Sequence, residues 1–430
     1  MTIKPYGYRP RLLDGSIARL LGGFGAVEVA GPKFCGKTWA SMAHAESISH
    51  IDDRTVREIV EIQPELALEG KRPHVIDEWQ DVPGIWDAAR RAIDEEGSRG
   101  NFILTGSSSV DHTLVSHSGA GRIARVRMRT MSLRESGDSD GSVSLARLFE
   151  GACPTRQVST DIRDLARLIC RGGWPATIAS DGAASADLPA QYLDALFSVS
   201  AAQAGLDPRL TRRVAVALAR NMGKTPTYRT LYADSFAEEP PKGTDTGTLR
   251  KRLLPYLEFF EGQYFTEEQA GWDAPVKARS RVRSKAKRTF ADPSLPASLL
   301  AMTPERLLLE RQLLGNLFEE LCLRDIRVYA SALGAIPEPG VFYYADADGL
   351  EVDAVVELPD GRWGAFEIKL NEEKVPEGTN NLMRLRDKVL ANPAARGREP
   401  AFLAVLVGKA SFCRTTPEGA FVVPITCLGA

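Results

Sequence analysis

An α/β protein in three parts is predicted, and three observations predict it. Over residues 1–140, apolar runs of strand length end in small or acidic residues and alternate with helical stretches, the pattern of a parallel sheet with crossover helices. Residues 141–300 read mainly as amphipathic helices. Strand-like runs return in residues 301–430, two of them around a short turn. A chain of 430 residues exceeds one ordinary hydrophobic core, so division into domains is expected on length alone.

In the first part, "AVEVAG" is a short apolar run suited to a buried parallel strand, and it leads into "GPKFCGKT". Gly31, Gly36, Lys37 and Thr38 match G-x-x-x-x-G-K-[ST]. In that pattern the loop from Gly31 through Pro32, Lys33, Phe34, Cys35 and Gly36 turns backbone N–H groups onto phosphate oxygens. Lys37 adds a point charge and the Thr38 hydroxyl a magnesium ligand. "PHVIDEWQ" then places Asp77 at the end of a buried run, where a magnesium-binding carboxylate belongs. Glu78 beside it suits a base that orients water. "NFILTGSSS" ends a third run in small polar residues, of which Ser107 or Ser108 is the candidate to sense the terminal phosphate. ATP and Mg2+ are the expected ligands. The bland alternative is a glycine-rich turn beside an exposed acidic pair. Arg122, after "SGAG", has two readings: a cation that offsets phosphate charge in its own subunit or a neighbour's in a homo-oligomer, or one more surface arginine beside Arg125, Arg127 and Arg129.

In the middle part, "DPRLTRRVAVALARNMGK", "TPTYRTLYADSF" and "TLRKRLLPYLEFFEGQYF" give helical segments in an order that suits a winged-helix-like module, with Thr248, Arg250, Lys251 and Arg252 opening the last. Such modules contact DNA or protein. The stretch "KARSRVRSKAKR" (Lys277–Arg288) alternates cations at the strand period, about 6.6 Å apart on one face. It carries +7 in a chain of net charge −2, leaving −9 on the remainder; a concentrated cationic patch on an acidic chain fits a DNA partner, and equally a charged, solvated edge strand.

In the last part, "LEVDAVVELPDGRWGAFEIKL" reads as two strands around a turn. Asp353 lies on one, and Glu367 and Lys369, at i and i+2, share a face of the next. Acid, then acid-x-lysine, is the core of the PD-(D/E)xK arrangement: two carboxylates for a hard divalent cation, and a lysine to orient water. Glu319 in "GNLFEEL" is the candidate third acid. Face parity requires an odd-length loop or a bulge for Asp353 to pair with Glu367. The alternative is an ordinary hairpin with solvent-facing charges.

"GPKFCGKT", "HIDD", "VIDEWQDVPGIWDAARRAID", "FILTGSSS" and "GRIARVRMRTMSLRE" resemble the AAA-type domain of a group of bacterial and archaeal ATP-binding proteins that carry a C-terminal domain of unknown function, DUF4143. The resemblance continues through "RGGWPA", "RTFADPSLPASLL", "GNLFEEL" and "GLEVDAVVELPDGRWGAFEIKL", so it touches nearly the whole chain. It implies an AAA-type P-loop domain, a winged-helix-like middle and a C-terminal domain related to PD-(D/E)xK nucleases. The family usually has arginine and glutamine where this chain has Lys33 and Phe34.

Composition narrows the setting. No run of about 18 apolar residues suggests a membrane span, and "MTIKPYGYRPRLLDG" lacks the apolar core of a secretory signal, so a cytoplasmic location is expected. The six cysteines are scattered without a CxxC, and all five histidines precede residue 118, which argues against a zinc site. The expected function is ATP binding and hydrolysis coupled to nucleic-acid binding, with magnesium-dependent nuclease chemistry at the C-terminal acids. The alternative is a nucleotide-dependent switch that binds protein and carries an inactive nuclease-like domain.

Overall fold

The computed structural model describes residues 2–109, 118–179, 187–241, 243–273, 286–335, 340–393 and 398–430. The chain forms two compact units: residues to Met131 together with Phe260–Phe265, and Ser132–Phe259 together with Thr266–Ala430.

The first unit is a parallel sheet of β1 (Ala26–Ala30), β2 (Ser47–His50), β3 (His74–Asp77), β4 (Phe102–Gly106) and β5 (Ile123–Arg127), in the order β2-β3-β4-β1-β5. Helices α1 (Leu13–Leu21), α2 (Lys37–Met42), α3 (Arg54–Ile62) and α4 (Gly84–Glu96) connect and cover it. The strands are nearly continuous apolar runs because both faces are covered. Val27, Val29, Val75 and Ile103 pack on one face with Ile17 and Ala40. Ala26, Ile76, Phe102 and Leu104 pack on the other with Ile85, Trp86 and Ile93 of α4. β4 lies between β1 and β3, so residues at its carboxyl end stand between the ends of those two strands. The segment Phe260–Phe265 joins this unit through the Ser109 N–H, which donates to the Gly262 carbonyl at 2.7 Å, and through Tyr264, whose ring lies 5.1 Å under the Arg127 guanidinium.

The second unit opens with α5 (Leu133–Ser136), capped reciprocally by Ser132 and Glu135. β6 (Val143–Ser144), α6 (Leu145–Leu148) and β7 (Arg156–Gln157) lead to the helices α7 (Ile162–Arg171), α8 (Pro175–Ala179), α9 (Leu188–Ala195, continued by a π-helical turn Leu196–Ala201), α10 (Pro208–Arg220), α11 (Tyr228–Phe236) and α12 (Thr246–Gly262). An antiparallel hairpin of β8 (Thr266–Gln269) and β9 (Lys287–Phe290) follows, then α13 (Ser294–Leu299), α14 (Pro304–Leu309) and the long α15 (Arg311–Ala332). The remaining strands are β10 (Val341–Ala345), β11 (Glu351–Glu357), β12 (Trp363–Asn371), β13 (Phe402–Lys409), β14 (Phe412–Thr415), β15 (Phe421–Pro424) and β16 (Leu428–Gly429), with α16 (Val375–Ala391) between β12 and β13. The main sheet runs β10-β11-β12-β13-β15-β14-β7.

The two parts expected over 141–300 and 301–430 therefore share one unit. β7, from the first of them, pairs with β14 at the sheet edge, and β6 pairs with β16. A buried polar hub also ties them. Asp292 accepts from the Gly173 N–H at 2.9 Å and from Arg324 at 3.2 Å, while Arg324 holds Asp325 at 2.6 Å. Asp325 accepts from the Leu133 N–H at 3.0 Å, and the Trp174 indole donates to Ser294 at 2.9 Å. "RGGWPA" and "FADPSLP" thus meet as a structural joint. Among the described residues, no helix is long and apolar enough to cross a membrane.

Candidate functional site

The loop after β1 is shaped by close backbone approach. A Cβ on Gly31, at φ +159°, would fall 2.1 Å from the Met128 carbonyl oxygen. Gly36 and Phe34 are left-handed, at φ 100° and 64°. Arg11 pins the loop from below by donating to the Cys35 and Arg129 carbonyls at 2.9 and 2.8 Å. Pro32 is buried and Lys33 half-buried, while the Cys35 side chain points wholly into the core, so this cysteine has only its backbone to offer a ligand. Phe34 and Trp39, by contrast, expose large rings beside the loop. Lys37 is buried, and its ammonium donates to the Pro32 carbonyl at 3.0 Å, across the mouth of the loop.

The ends of β3 and β4 complete the arrangement. Asp77 accepts from Thr38 Oγ1 at 2.9 Å and from the Thr105 hydroxyl, and lies 3.4 Å from His50 Nδ1. Glu78 follows in a left-handed conformation, φ 57°, with its N–H donating to Thr105 Oγ1 at 3.2 Å. Its carboxylate accepts from the Ser107 N–H at 3.2 Å and from the Gln80 amide at 2.5 Å. Loop, Lys37, Thr38, Asp77, Glu78 and Ser107 are therefore gathered at the carboxyl ends of β1, β3 and β4, where open α/β sheets bind ligands. Thr38 and Asp77 form a hard-oxygen pair that fits magnesium, and the loop, turned through the left-handed Phe34 and Gly36, fits phosphate oxygens. Thr105 and Gln80 were not anticipated; their sequence signal is that they stand within "TGS" and "DEWQ".

Arg122 does not belong to this group within its own chain. It precedes β5, and its carbonyl accepts from the Ala26 N–H, at the amino end of β1. The loop leaves β1 at the other end, about 13 Å away at the strand rise. The Arg122 side chain is half exposed and pairs with Asp94 of α4 at 2.8 Å. The in-subunit expectation is thereby corrected: a residue before a parallel strand sits at the wrong end of the sheet.

The second unit brings the C-terminal acids into one neighbourhood. Glu357 faces Trp363 and Ala354 faces Phe366, which leaves a five-residue loop, 358–362, and puts Asp353 opposite Glu367 one step further on. The Asp353 carboxylate accepts from the Ile368 N–H at 2.7 Å. Glu367 is buried; it accepts from Asn381 of α16 at 3.1 Å and pairs with Lys369 at 3.0 Å. Lys369 also reaches Glu377 at 3.5 Å. Glu319, on α15, lies 3.9 Å from the ammonium of Lys287, which also pairs with Glu351. Burial and the Asp353 charge push Glu367 up to about 9 and Glu319 up to about 8. Burial opposes the charge on Lys287, yet Glu319, Glu351 and Asp353 together raise it above its ordinary value.

Among the described residues, no three His, Cys, Asp or Glu side chains converge to hold a metal ion. The expected ligand set Glu319, Asp353 and Glu367 is corrected on that point: Asp353 spends an oxygen on a backbone N–H, Glu367 is engaged by Lys369 and Asn381, and Glu319 faces Lys287. These residues do not fit a resident divalent ion. Of the expected basic segment, residues 277–285 lie outside the described residues. Lys287 is buried among acids and Arg288 pairs with Glu268 at 3.2 Å, so the far end of the segment is not a solvent-facing cationic strip. The four residues at the start of α12, Thr248, Arg250, Lys251 and Arg252, are all exposed, and Arg252 also donates to the Tyr232 hydroxyl at 2.7 Å and stacks 4.4 Å over Phe236. Arg250, Lys224, Tyr228 and Arg288 line a cavity of about 360 Å³.

Comparison with known proteins assigns the parts. Residues 24–137 match the family described as an AAA domain, and residues 314–428 match a domain of unknown function, DUF4143. Residues 162–306 match a further domain of unknown function, DUF8612. Uncharacterized proteins of Mycobacterium bovis and Mycobacterium tuberculosis are each 28% identical over 355 residues, covering 80% of this chain and 70% of theirs. Among solved structures, the Walker-type ATPase of Pyrococcus abyssi aligns with a TM-score of 0.42 at 12% identity, over 70% of this chain and 98% of that one. The replication initiator DnaA, bound to AMPPCP and single-stranded DNA, aligns with a TM-score of 0.27 at 11% identity, over 58% and 88%.

Proposed function

We propose that the first unit binds ATP with magnesium and hydrolyses it. The observation that carries this reading is the convergence of Lys37, Thr38, Asp77 and Glu78 at the ends of adjacent strands, beside a loop that admits no Cβ at Gly31. The amides of Gly31–Thr38 and the Lys37 ammonium would bind the phosphates, with Lys37 exchanging the Pro32 carbonyl for a phosphate oxygen. Thr38 and Asp77 would hold magnesium, which when bound offsets charge on the phosphate oxygens. Glu78, aimed by the Ser107 amide and by Gln80, would orient the attacking water. Ser107 would report the terminal phosphate to the same carboxylate. Lys37→Ala should abolish nucleotide binding. Glu78→Gln should keep binding and lower turnover by about 10²–10⁴-fold, the usual worth of a positioned base. Equal turnover in Glu78→Gln and wild type would overturn the assignment of the base. Arg122 fits a role only toward a second copy of the chain.

A second reading concerns the partner: nucleotide state governs binding of DNA by the second unit. It is supported by the element order α10, α11, α12, β8, β9, which is three helices and a hairpin as in winged-helix modules, and by the cations lining the cavity beside α12. ATP hydrolysis stimulated by duplex DNA, and lost in Lys37→Ala, supports it. Hydrolysis indifferent to DNA turns the reading to a protein-binding switch. The acidic cluster of the second unit supplies no step in either reading.

A further inference from the structure

We propose that the acidic cluster of the second unit carries its own cation: Lys287, delivered by β9, occupies the place that a divalent ion takes among such carboxylates. Three acids act on this ammonium, Glu319 from α15 and Glu351 and Asp353 from β11, and Asp353 acts in turn on Glu367 of β12. Two lysines stand among them. Lys369 serves Glu367, and Lys287 serves Glu351 and Glu319, the latter at 3.9 Å. The Lys287 side chain is 6% exposed and its ammonium sits 4.9 Å from the Tyr343 ring centre, so one side is closed by an aromatic face.

The lysine is held there by the hairpin rather than by chance rotamer choice. Its partner across the hairpin is Gln269, and directly opposed residues project to the same side. The Gln269 amide donates to the Asp353 carbonyl at 2.9 Å and to the Phe342 carbonyl at 3.1 Å. Beyond β8 the chain continues along β10: the Tyr343 N–H donates to Ala270 at 3.0 Å and the Trp272 N–H to Tyr343 at 2.7 Å. The hairpin is thus fastened on one arm, to β10 by backbone bonds and to β11 by the Gln269 side chain, while the other arm inserts its ammonium. In this arrangement the cluster is an internal core of carboxyl groups and lysines. A divalent cation would have to displace a buried, backbone-anchored lysine, and cleavage chemistry that needs such a cation is blocked while Lys287 stays.

The test uses the full chain without nucleotide, so that the first unit offers no phosphate to a metal. Free Mn2+ is titrated by electron paramagnetic resonance. Wild type should show no Mn2+ site that Asp353→Asn removes. Lys287→Met keeps the stem and deletes the charge, and should create a site at least about tenfold tighter than any in wild type, since a unit charge a few ångströms away is lost. Glu319→Gln in the Lys287→Met background should remove that site, and Lys287→Arg should lack it. A wild-type Mn2+ site lost in Asp353→Asn overturns the proposal whether or not the lysine variants fold. So does a Lys287→Met protein with wild-type circular dichroism that gains no site. None of these outcomes depends on ATP binding by the first unit.

Discussion

Gly31→Ala isolates the contribution of the loop's backbone geometry. The added methyl would lie 2.1 Å from the Met128 carbonyl oxygen, against about 3.3 Å for a close carbon–oxygen contact. The loop and the residues after β5 would therefore separate by about 1.2 Å, and the loop amides would move with them. Misplacement of about 1 Å at a site that works by positioning costs about 10²-fold in rate. Gly97→Ala is the control: φ is +63° there, and a Cβ would meet nothing within 4 Å. It should lower stability by about 1 kcal/mol through backbone strain alone and leave turnover unchanged. The assay is magnesium-dependent ATP hydrolysis at saturating ATP, with thermal melts of both variants. Gly31→Ala turning over within threefold of wild type, with an unchanged melt, would refute the argument that this contact shapes the site.

Trp39 is 49% exposed and adjoins Thr38, so ATP should change tryptophan emission in wild type and leave it unaltered in Trp39→Phe, read by fluorescence titration. Arg324→Met leaves Asp292 and Asp325 buried without their cation; a loss of about 3–5 kcal/mol is expected for the second unit, measured by denaturant unfolding. Glu367, raised from 4.5 to about 9 by burial and the Asp353 charge, binds more protons folded than unfolded. Its stabilising effect is therefore complete below pH 4.5 and lost as pH rises toward 9. Glu367→Gln should flatten the fall in melting temperature across that window, and a parallel fall in both proteins would remove Glu367 as the cause.

The candidate site of the first unit was legible because its parts are consecutive or nearly so. Gly31 to Thr38 is one loop, and Asp77–Glu78 ends one apolar run. The Asp353–Glu367 pairing was legible in the same local way, since strand parity and loop length decide it. What lay beyond local pattern was direction and company. Arg122 was open to misplacement because its residue type suggests a phosphate partner, whereas its position before a parallel strand assigns it to the far end of the sheet. Alternation in Lys277–Arg288 predicts a shared face but is silent on what that face meets, and Lys287 meets carboxylates from two other elements, α15 and β11. Cys153 is far in sequence from Cys413 and Cys427 with no recognisable spacing, yet burial and then the Cys427 thiol raise its pKa, and Cys413 and Cys427 share a hydrogen bond. β7 is two exposed residues long, too short for any periodicity to announce that it closes a sheet built mostly of strands after residue 340.

The return of Phe260–Phe265 to the first unit bears on how this protein can be taken apart. A gene fragment ending after Met131 encodes the whole sheet but omits the carbonyl that receives the Ser109 N–H and the tyrosine ring under Arg127. Seen along the chain, residues 132–259 are an insertion between two pieces of one folding unit. Exchange of units between relatives, by recombination or by cloning, therefore needs three junctions, after Met131, before Phe260 and after Phe265, and a single junction placed after the sheet will yield a unit with an open seam.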